Sequence, residues 1–263
     1  VLFDPGSPLD FETVFQNICE LVSLDQIKYV VVHHEDPDFC GALPLLESRG
    51  LAAEIVTTFR TMSLVQYYDI RSPYYLIEDH GMVLRFGQGR ELHFISTPYL
   101  HFAGSFTTYD PVECTLFSSD LFGAFSYNHT LYADDQYMGK MLAFHENYMP
   151  ANSVLRPVMD TLTKYRIEMI LPQHGSIITT NIPAYIQALR TLECGILLTP
   201  VRRNLLEDGG YRMVFNEVME RLDVLFPAEA VDEFRQTLAE FEFDPEGKVL
   251  SYTGSEPAHW NRL

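Results

Sequence analysis

Four apolar runs in this chain end in the same way, and that shared ending constrains the fold more than any other feature. "VVVHHEDPD" (30–38), "ISTPYLH" (95–101), "TLFSSD" (115–120) and "MILPQHG" (169–175) each place a His or an acid in the loop just past the run. Short apolar runs of this length, rich in β-branched residues and followed by polar loops, read as buried strands. Loops at one edge of a sheet converge in space, so donor groups placed there can surround a single point. The pattern points to a metal site carried on a sheet edge.

The rest of the chain supplies the layers such a sheet needs. "VLFDPG" reads as a strand and turn, and its abrupt start leads us to expect that a preceding strand is missing. "DFETVFQNICELV" (10–22) carries Phe11, Val14, Ile18, Leu21 and Val22 at helical spacing. A short helix follows from "CGALPLLESRG". Further strands are expected at "AEIVTT" (53–58), "YYLIED" (74–79), "ELHFISTPYL" (91–100), "ECTLFSSD" (113–120) and "IEMILP" (167–172), with a helix near 153–164. Strands alternating with helices predict an α/β layered fold. After about residue 195 the character changes: "GGYRMVFNEVMERLDVLF" and "PAEAVDEFRQTLAEFEF" read as two amphipathic helices, and "GKVLSYTG" as a late strand. The expected division is therefore 1–194 and a C-terminal extension, 195–263.

Charge and cysteine usage narrow the function. With 36 acidic against 18 basic residues the formal charge is −18, which repels nucleic-acid phosphate and anionic membrane alike. No stretch reaches 18 consecutive apolar residues and no basic-then-apolar leader opens the chain, so neither a membrane span nor export is expected, and a cytoplasmic location is. Cys19, Cys40, Cys114 and Cys194 are scattered without a Cys-x-x-Cys pair, which excludes a zinc ribbon or rubredoxin-type iron site.

The candidate ligands each have a plain structural alternative. His34, Asp36 and Asp38 sit at alternate positions, and in an extended stretch they would present to one cavity; the loop could equally be a solvated acidic turn. His101 could be a core histidine, His174 a turn residue before Gly175, and Asp120 a cap for the turn at "LFGAF". Together, at matching strand ends, they describe acids that would repel unless a cation neutralised them. Imidazole and carboxylate without thiolate suit iron, manganese or zinc.

On these motifs the chain resembles the metallo-β-lactamase fold, and within it the lactamase-like domain of flavodiiron proteins and the stand-alone oxygen-binding di-iron proteins. The resemblance is carried by "LFDPG", "HEDPDFCGALP", "TPYLHFAGSFTTYDP", "LFSSDLFGAF" and "YRIEMILPQHG", spanning much of residues 1–185. It implies an αββα sandwich with a mainly helical C-terminal extension. It also implies two iron ions, one held by His34, Asp36 and His101, the other by Asp38 and His174, with Asp120 bridging. The family's first loop normally reads His-x-Glu-x-Asp-His; here Asp36 stands for the Glu and Phe39 for the final His. The second metal is then expected to bind more weakly or with more open coordination. An alternative register, with His33 and Glu35 as donors and a one-residue bulge, restores the Glu but breaks the match at "PDFCGALP". In the first register His33 is a candidate to support a ligand carboxylate, and Tyr99 and Tyr109 to donate hydrogen bonds to a bound oxygen ligand or simply to pack.

The resemblance implies a protein that binds dioxygen or another small diatomic ligand. Flavodiiron enzymes carry a flavodoxin-like domain after the lactamase-like one; the 68 residues after 195 leave too little chain for it. An oxygen-binding or sensing role is therefore expected, in a module read by a redox partner, a signalling domain or a second copy. The alternatives are an oxygen or nitric oxide reductase with a separate electron donor, and a metal-dependent phosphodiesterase or other hydrolase on zinc, manganese or a single metal. Arg60, Arg71, Arg85 and Arg90 are the nearest basic residues for an anionic substrate. A site left without catalysis, serving as an interaction module, is the remaining alternative.

Overall fold

The computed structural model describes residues 1–125, 130–195, 215, 216, 218–220, 222, 223 and 227–252. The chain divides into two compact units, Val1–Gly195 and Ile196–Leu263.

The first unit holds two sheets. One is parallel, in the order β1 (Leu2–Phe3), β2 (Tyr29–Val31), β3 (Glu54–Thr57), β4 (Tyr74–Leu76). The other runs β5 (Val83–Phe86), β6 (Arg90–Ser96), β7 (Phe106–Asp110), β8 (Thr115–Ser119), β9 (Met169–Pro172), antiparallel except for the β8–β9 pair. A buried cluster drawn from both sheets joins them face to face: Val31, Val56 and Ile77 on one side, Leu84, Leu92, Phe94 and Phe106 on the other. Phe3 stacks on Phe117 across that interface, with ring centroids 3.9 Å apart.

Helices cover the outer faces. On the parallel sheet lie α1 (Phe11–Leu21) and α3 (Leu43–Ser48), which bury Phe11, Ile18, Leu43 and Leu46 against Val30 and Ile55. On the other sheet lie α5 (Tyr137–Tyr148), α6 (Asn152–Leu162) and α7 (Ile182–Thr191). In α6 the buried residues Leu155, Val158, Met159 and Leu162 fall at the i, i+3, i+4, i+7 spacing that makes one apolar stripe. Two short helices, α2 (Pro37–Cys40) and α4 (Phe59–Val65), complete the unit. The result is the αββα sandwich that the resemblance implied.

Several elements differ from the sequence expectation. Strands β5 and β7 and helices α4, α5 and α7 carried no recognised pattern; β7, "FTTYD", is buried along its whole length and shows no alternation. The strand expected over 74–79 stops at Leu76, where the chain enters a 3-10 turn over Ile77–His80. The extended alternation expected for His34, Asp36 and Asp38 holds only to Asp36. Pro37 starts α2 and Asp36 becomes its N-cap residue, so Asp38 sits in the first helical turn.

In the second unit the expected helix over 209–226 lies partly outside the described residues; those described between 215 and 223 are helical. The helix expected over 227–243 is α8 (Ala228–Thr237), which ends before an antiparallel hairpin of β10 (Phe241–Phe243) and β11 (Val249–Tyr252). "FEF" alternates with period two and belongs to a strand, and Phe241 packs on Phe215 with centroids 4.2 Å apart. Among the described residues, no helix is long and apolar enough to cross a membrane.

Candidate metal centre

The six candidate ligands come together, delivered by loops beyond four strand ends. His34 and Asp36 follow β2, His101 follows β6, Asp120 follows β8 and His174 follows β9. The donor atoms of His34, Asp36, His101 and Asp120 all lie within 4.8 Å of one another. Asp120 is the centre of the group. Its Oδ2 is 2.9 Å from His34 Nε2 and 2.9 Å from His101 Nε2, while Oδ1 faces His174 Nε2 at 3.6 Å. Asp36 Oδ2 is 3.4 Å from His101 Nε2, and Asp38 Oδ2 is 3.0 Å from His174 Nε2.

Charge in the cluster is arranged for a cation. Burial acts to raise the Asp120 carboxyl, yet hydrogen bonds from His101 and His34 more than offset it and hold the group well below the usual carboxylate range. Burial likewise opposes protonation of His101, but Asp120 and Asp36 beside it push its pKa up to about 9. The Asp38–His174 hydrogen bond holds the Asp38 carboxyl down and raises the His174 imidazole. A metal ion bound by these imidazoles would displace any proton from the nitrogen it takes.

One atom in the cluster lacks a partner. Asp120 Oδ1 is fully buried without a hydrogen bond, and burying a carboxylate oxygen that way is costly unless something else neutralises it. The donor set is oxygen and imidazole nitrogen, the chemistry of iron, manganese or zinc. The residues fit a metal.

Each ligand loop has a local reason for its position. The His101 loop is closed by the Gly104 carbonyl, which lies 3.0 Å from Thr58 Oγ1 and 3.3 Å from Thr61 Oγ1 at the start of α4. A Cβ on Gly104 would fall 2.6 Å from Thr61 Oγ1 and 2.9 Å from Thr61 N. Beyond Asp120, the N–H of Phe122 donates to His145 Nε2 at 3.1 Å, and His145 Nδ1–H donates to the Met141 carbonyl at 2.8 Å. The Tyr137 hydroxyl holds the Phe122 carbonyl at 2.8 Å. His174 precedes Gly175, whose φ of +116° is one that side-chain-bearing residues rarely adopt.

A cleft of about 540 Å³ opens over the cluster, walled on one side by Phe125, Phe144 and Tyr148. The Tyr148 ring lies 5.6 Å from that of His101. Phe39 is fully buried beneath, its ring 3.8 Å from His34 and 6.0 Å from His174. Sequence reasoning did not single out Phe144, Tyr148 or His145, all on the unrecognised α5; the signal available was the i, i+4 aromatic pair Phe144 and Tyr148.

The remaining candidates lie elsewhere. His33 supports none of the six candidate ligands: its Nδ1 is 2.5 Å from Asp4 Oδ2 and its Nε2 is 2.9 Å from Thr108 Oγ1. Glu35 is buried away from the cleft with Oε2 unpartnered, and burial raises its carboxyl pKa. The register with His33 and Glu35 as donors is thus not the one this fold presents. Tyr109 cannot serve a bound ligand, because its hydroxyl donates to the Arg166 carbonyl at 2.7 Å. Tyr99 is half exposed and does not line the cleft. Arg71, Arg85 and Arg90 pair with Asp69, Glu91 and Asp110, and none of the four candidate arginines lines the cleft.

Residues 1–175 match the model of the family "ODP family beta lactamase". An uncharacterized protein of Methanocaldococcus jannaschii is 28% identical over 67% of this chain and 46% of its own length. An anaerobic nitric oxide reductase flavorubredoxin of Salmonella arizonae is 25% identical over 63% of this chain and 36% of its own. The chain thus spans less than half the length of either curated relative. Among solved structures, the peroxy diiron species of the chemotaxis sensor ODP superposes with a TM-score of 0.65 at 25% identity, covering 78% of this chain and 85% of that one. The apo state of the chemotaxis sensor ODP from T. denticola gives 0.65 at 27% identity, covering 73% and 82%.

Proposed function

The chain belongs to the ODP family of beta-lactamase-fold proteins, and on that premise we propose that it is a non-haem di-iron module that binds dioxygen or another small diatomic ligand. The observation that carries the reading is the Asp120 carboxylate, with one oxygen turned to His34 and His101 and the other, unpartnered, turned to His174. A single buried carboxylate facing two sets of donors suits two adjacent cations. His34, Asp36 and His101 would hold one iron, Asp38 and His174 the other, with Asp120 shared. Iron supplies the redox-active centre to which a diatomic ligand can attach. The protein's own contribution is orientation and exclusion of water: Phe39 closes the floor beside His34, and Phe125, Phe144 and Tyr148 wall one side of the cleft.

A sensing or binding role is favoured because the chemotaxis sensor ODP is matched over 85% of its own chain, whereas the flavorubredoxin of Salmonella arizonae is matched over 36% of its length. A signalling domain, a redox partner or a second copy would read the bound state. A cytoplasmic setting goes with this, since ferrous iron and thiols stay reduced there. The second reading, a reductase fed by a separate donor, draws on the nitric oxide reductase flavorubredoxins among the relatives. A phosphodiesterase fits less well: among the described residues the cleft lining offers no Arg or Lys to an anionic substrate.

Oxygen uptake by anaerobically prepared ferrous protein separates these readings. A binding module takes up a stoichiometric amount and stops, whether or not reduced flavoprotein or rubredoxin is added. Continuous uptake driven by such a donor would favour the reductase, and no uptake would defeat both.

A further inference from the structure

We propose that the sheet edge carrying this cluster is a docking face for a separate protein that presents basic residues around an apolar centre. This rests on the di-iron reading above only in taking the docked protein as the one that reads the bound state.

Charge on that edge has a single sign. The segments that follow β2, β6, β8 and β9 cover residues 32–42, 97–105, 120–136 and 173–181. They contain Glu35, Asp36, Asp38, Asp120, Asp134 and Asp135, and no Lys or Arg. Asp134 and Asp135 are exposed, and Asp134 Oδ1 accepts only the Gln136 N–H at 2.9–3.0 Å range typical of a turn, being 3.0 Å away. The opposite edge mixes its signs: Lys28, Glu47, Glu54, Asp69 and Arg71 line a second cleft there.

Apolar side chains stand among these acids. Phe125 and Tyr148 on the cleft wall are 43 and 48% exposed, with ring centroids 5.8 Å apart. Leu131 and Tyr132 are exposed beside the His174 loop, where the Leu131 carbonyl accepts the Ile177 N–H at 2.9 Å and Tyr132 bridges to Ile177. Tyr99 is exposed two residues before His101. A single exposed aromatic is ordinary. Five large apolar side chains on the segments of one sheet edge, interspersed with acids, have the composition of an interaction surface.

Charge also selects the occupant. Acids without basic neighbours attract and steer a basic face. A second copy docked edge to edge about a twofold axis would set the same acids against one another. An apolar centre on the partner would cover Phe125, Tyr132 and Tyr148. A protein seated there closes the cleft over His101 and His174, whose side chains are 20 and 40% exposed, and so meets the accessible side of the cluster.

The test titrates the full chain calorimetrically with cytochrome c, a small protein whose lysines surround an apolar haem edge. Binding is expected at an ionic strength of about 10 mM and should weaken at least about tenfold at about 100 mM. At the higher salt, where charges across the fold are screened, the variant carrying Asp134→Lys and Asp135→Lys should bind at least about tenfold more weakly. Tyr148→Ser should weaken binding about threefold or more. Glu20→Lys with Asp25→Lys makes the same change of charge at exposed positions away from this edge and should stay within about twofold of the parent. No binding at low salt, or equal loss from the two double variants, would overturn the proposal. So would a dimer of the chain in sedimentation that Tyr148→Ser dissociates, which would give the face to a second copy. Iron per chain, measured on the same samples, tests the di-iron reading separately from each of these outcomes.

Discussion

The ring of Phe39 lies against the imidazole of His34, centroids 3.8 Å apart and planes tilted by 37°. His34 is itself fully buried, with its Nε2 aimed at Asp120. Phe39, which stands where the first loop of the resembled family ends in His, is here a packing residue against a candidate ligand. The ring gives His34 an apolar wall and offers the cluster no donor atom.

Truncating that wall should therefore act on stability and on the metal together. Phe39→Ala removes a fully buried aromatic side chain and is expected to cost about 3–5 kcal/mol in urea unfolding of the metal-free protein. Phe39→Leu should cost less than about 2 kcal/mol. Equal destabilisation by both would mean that the ring's shape does not matter at this position.

His33 should behave as a structural residue and His34 as a ligand, although they are adjacent. His33 links the Asp4 turn after β1 to Thr108 on β7, and both partners are buried. His33→Ala leaves Asp4 Oδ2 buried without its partner, although Oδ1 keeps the backbone N–H of residue 33, and should cost roughly 3 kcal/mol. Iron content per folded chain should be unchanged, whereas His34→Ala should lose it. Elemental analysis beside a thermal melt distinguishes the two.

Gly104 should prove sensitive despite lying three residues from His101. An added methyl meets the Thr61 hydroxyl at 2.6 Å and the Thr61 amide at 2.9 Å, and the second contact is backbone that cannot rotate aside. Gly104→Ala must displace the loop that carries His101. Metal affinity is expected to fall about 10–100-fold with a smaller loss of stability. Chelator competition gives the first number and urea unfolding the second.

The fully buried His145 gives the metal-free protein a pH dependence of defined sign. Burial lowers its pKa from 6.5 to about 4, although its bond to Met141 and the nearby Asp120 charge pull the other way. Between these values the unfolded chain binds the proton that the folded chain refuses, so stability from this group rises with pH and is lost as pH falls from about 6.5 towards 4. The full swing is roughly 3 kcal/mol. In His145→Gln that part of the slope should vanish, as read by unfolding at pH 4.5 and 7.

Much of this cluster was legible in the sequence because its candidate ligands sit where strands end, and strand ends are marked by a change from apolar to polar residues. His34, Asp36, Asp38, His101, Asp120 and His174 all reach the cluster. Their supports were not legible, because they depend on contacts between distant segments: Thr58 and Thr61 with Gly104, His145 with Phe122, His33 with Asp4 and Thr108. Tyr109 illustrates the limit from the other side. It lies on a strand that carries no alternation, and only the fold shows its hydroxyl committed to Arg166. The αββα layering followed from the resemblance, while α5 and β7 escaped a reading based on periodicity because one is weakly amphipathic and the other is buried on both faces.

The measurement that tests the central claim most directly is iron per chain in protein purified without oxygen, paired with its optical spectrum before and after admission of air. The account predicts two irons after anaerobic loading with ferrous iron and a new absorption band on oxygenation. Zinc, manganese or one tightly bound metal that refuses a second iron, with a spectrum unmoved by air, would contradict it.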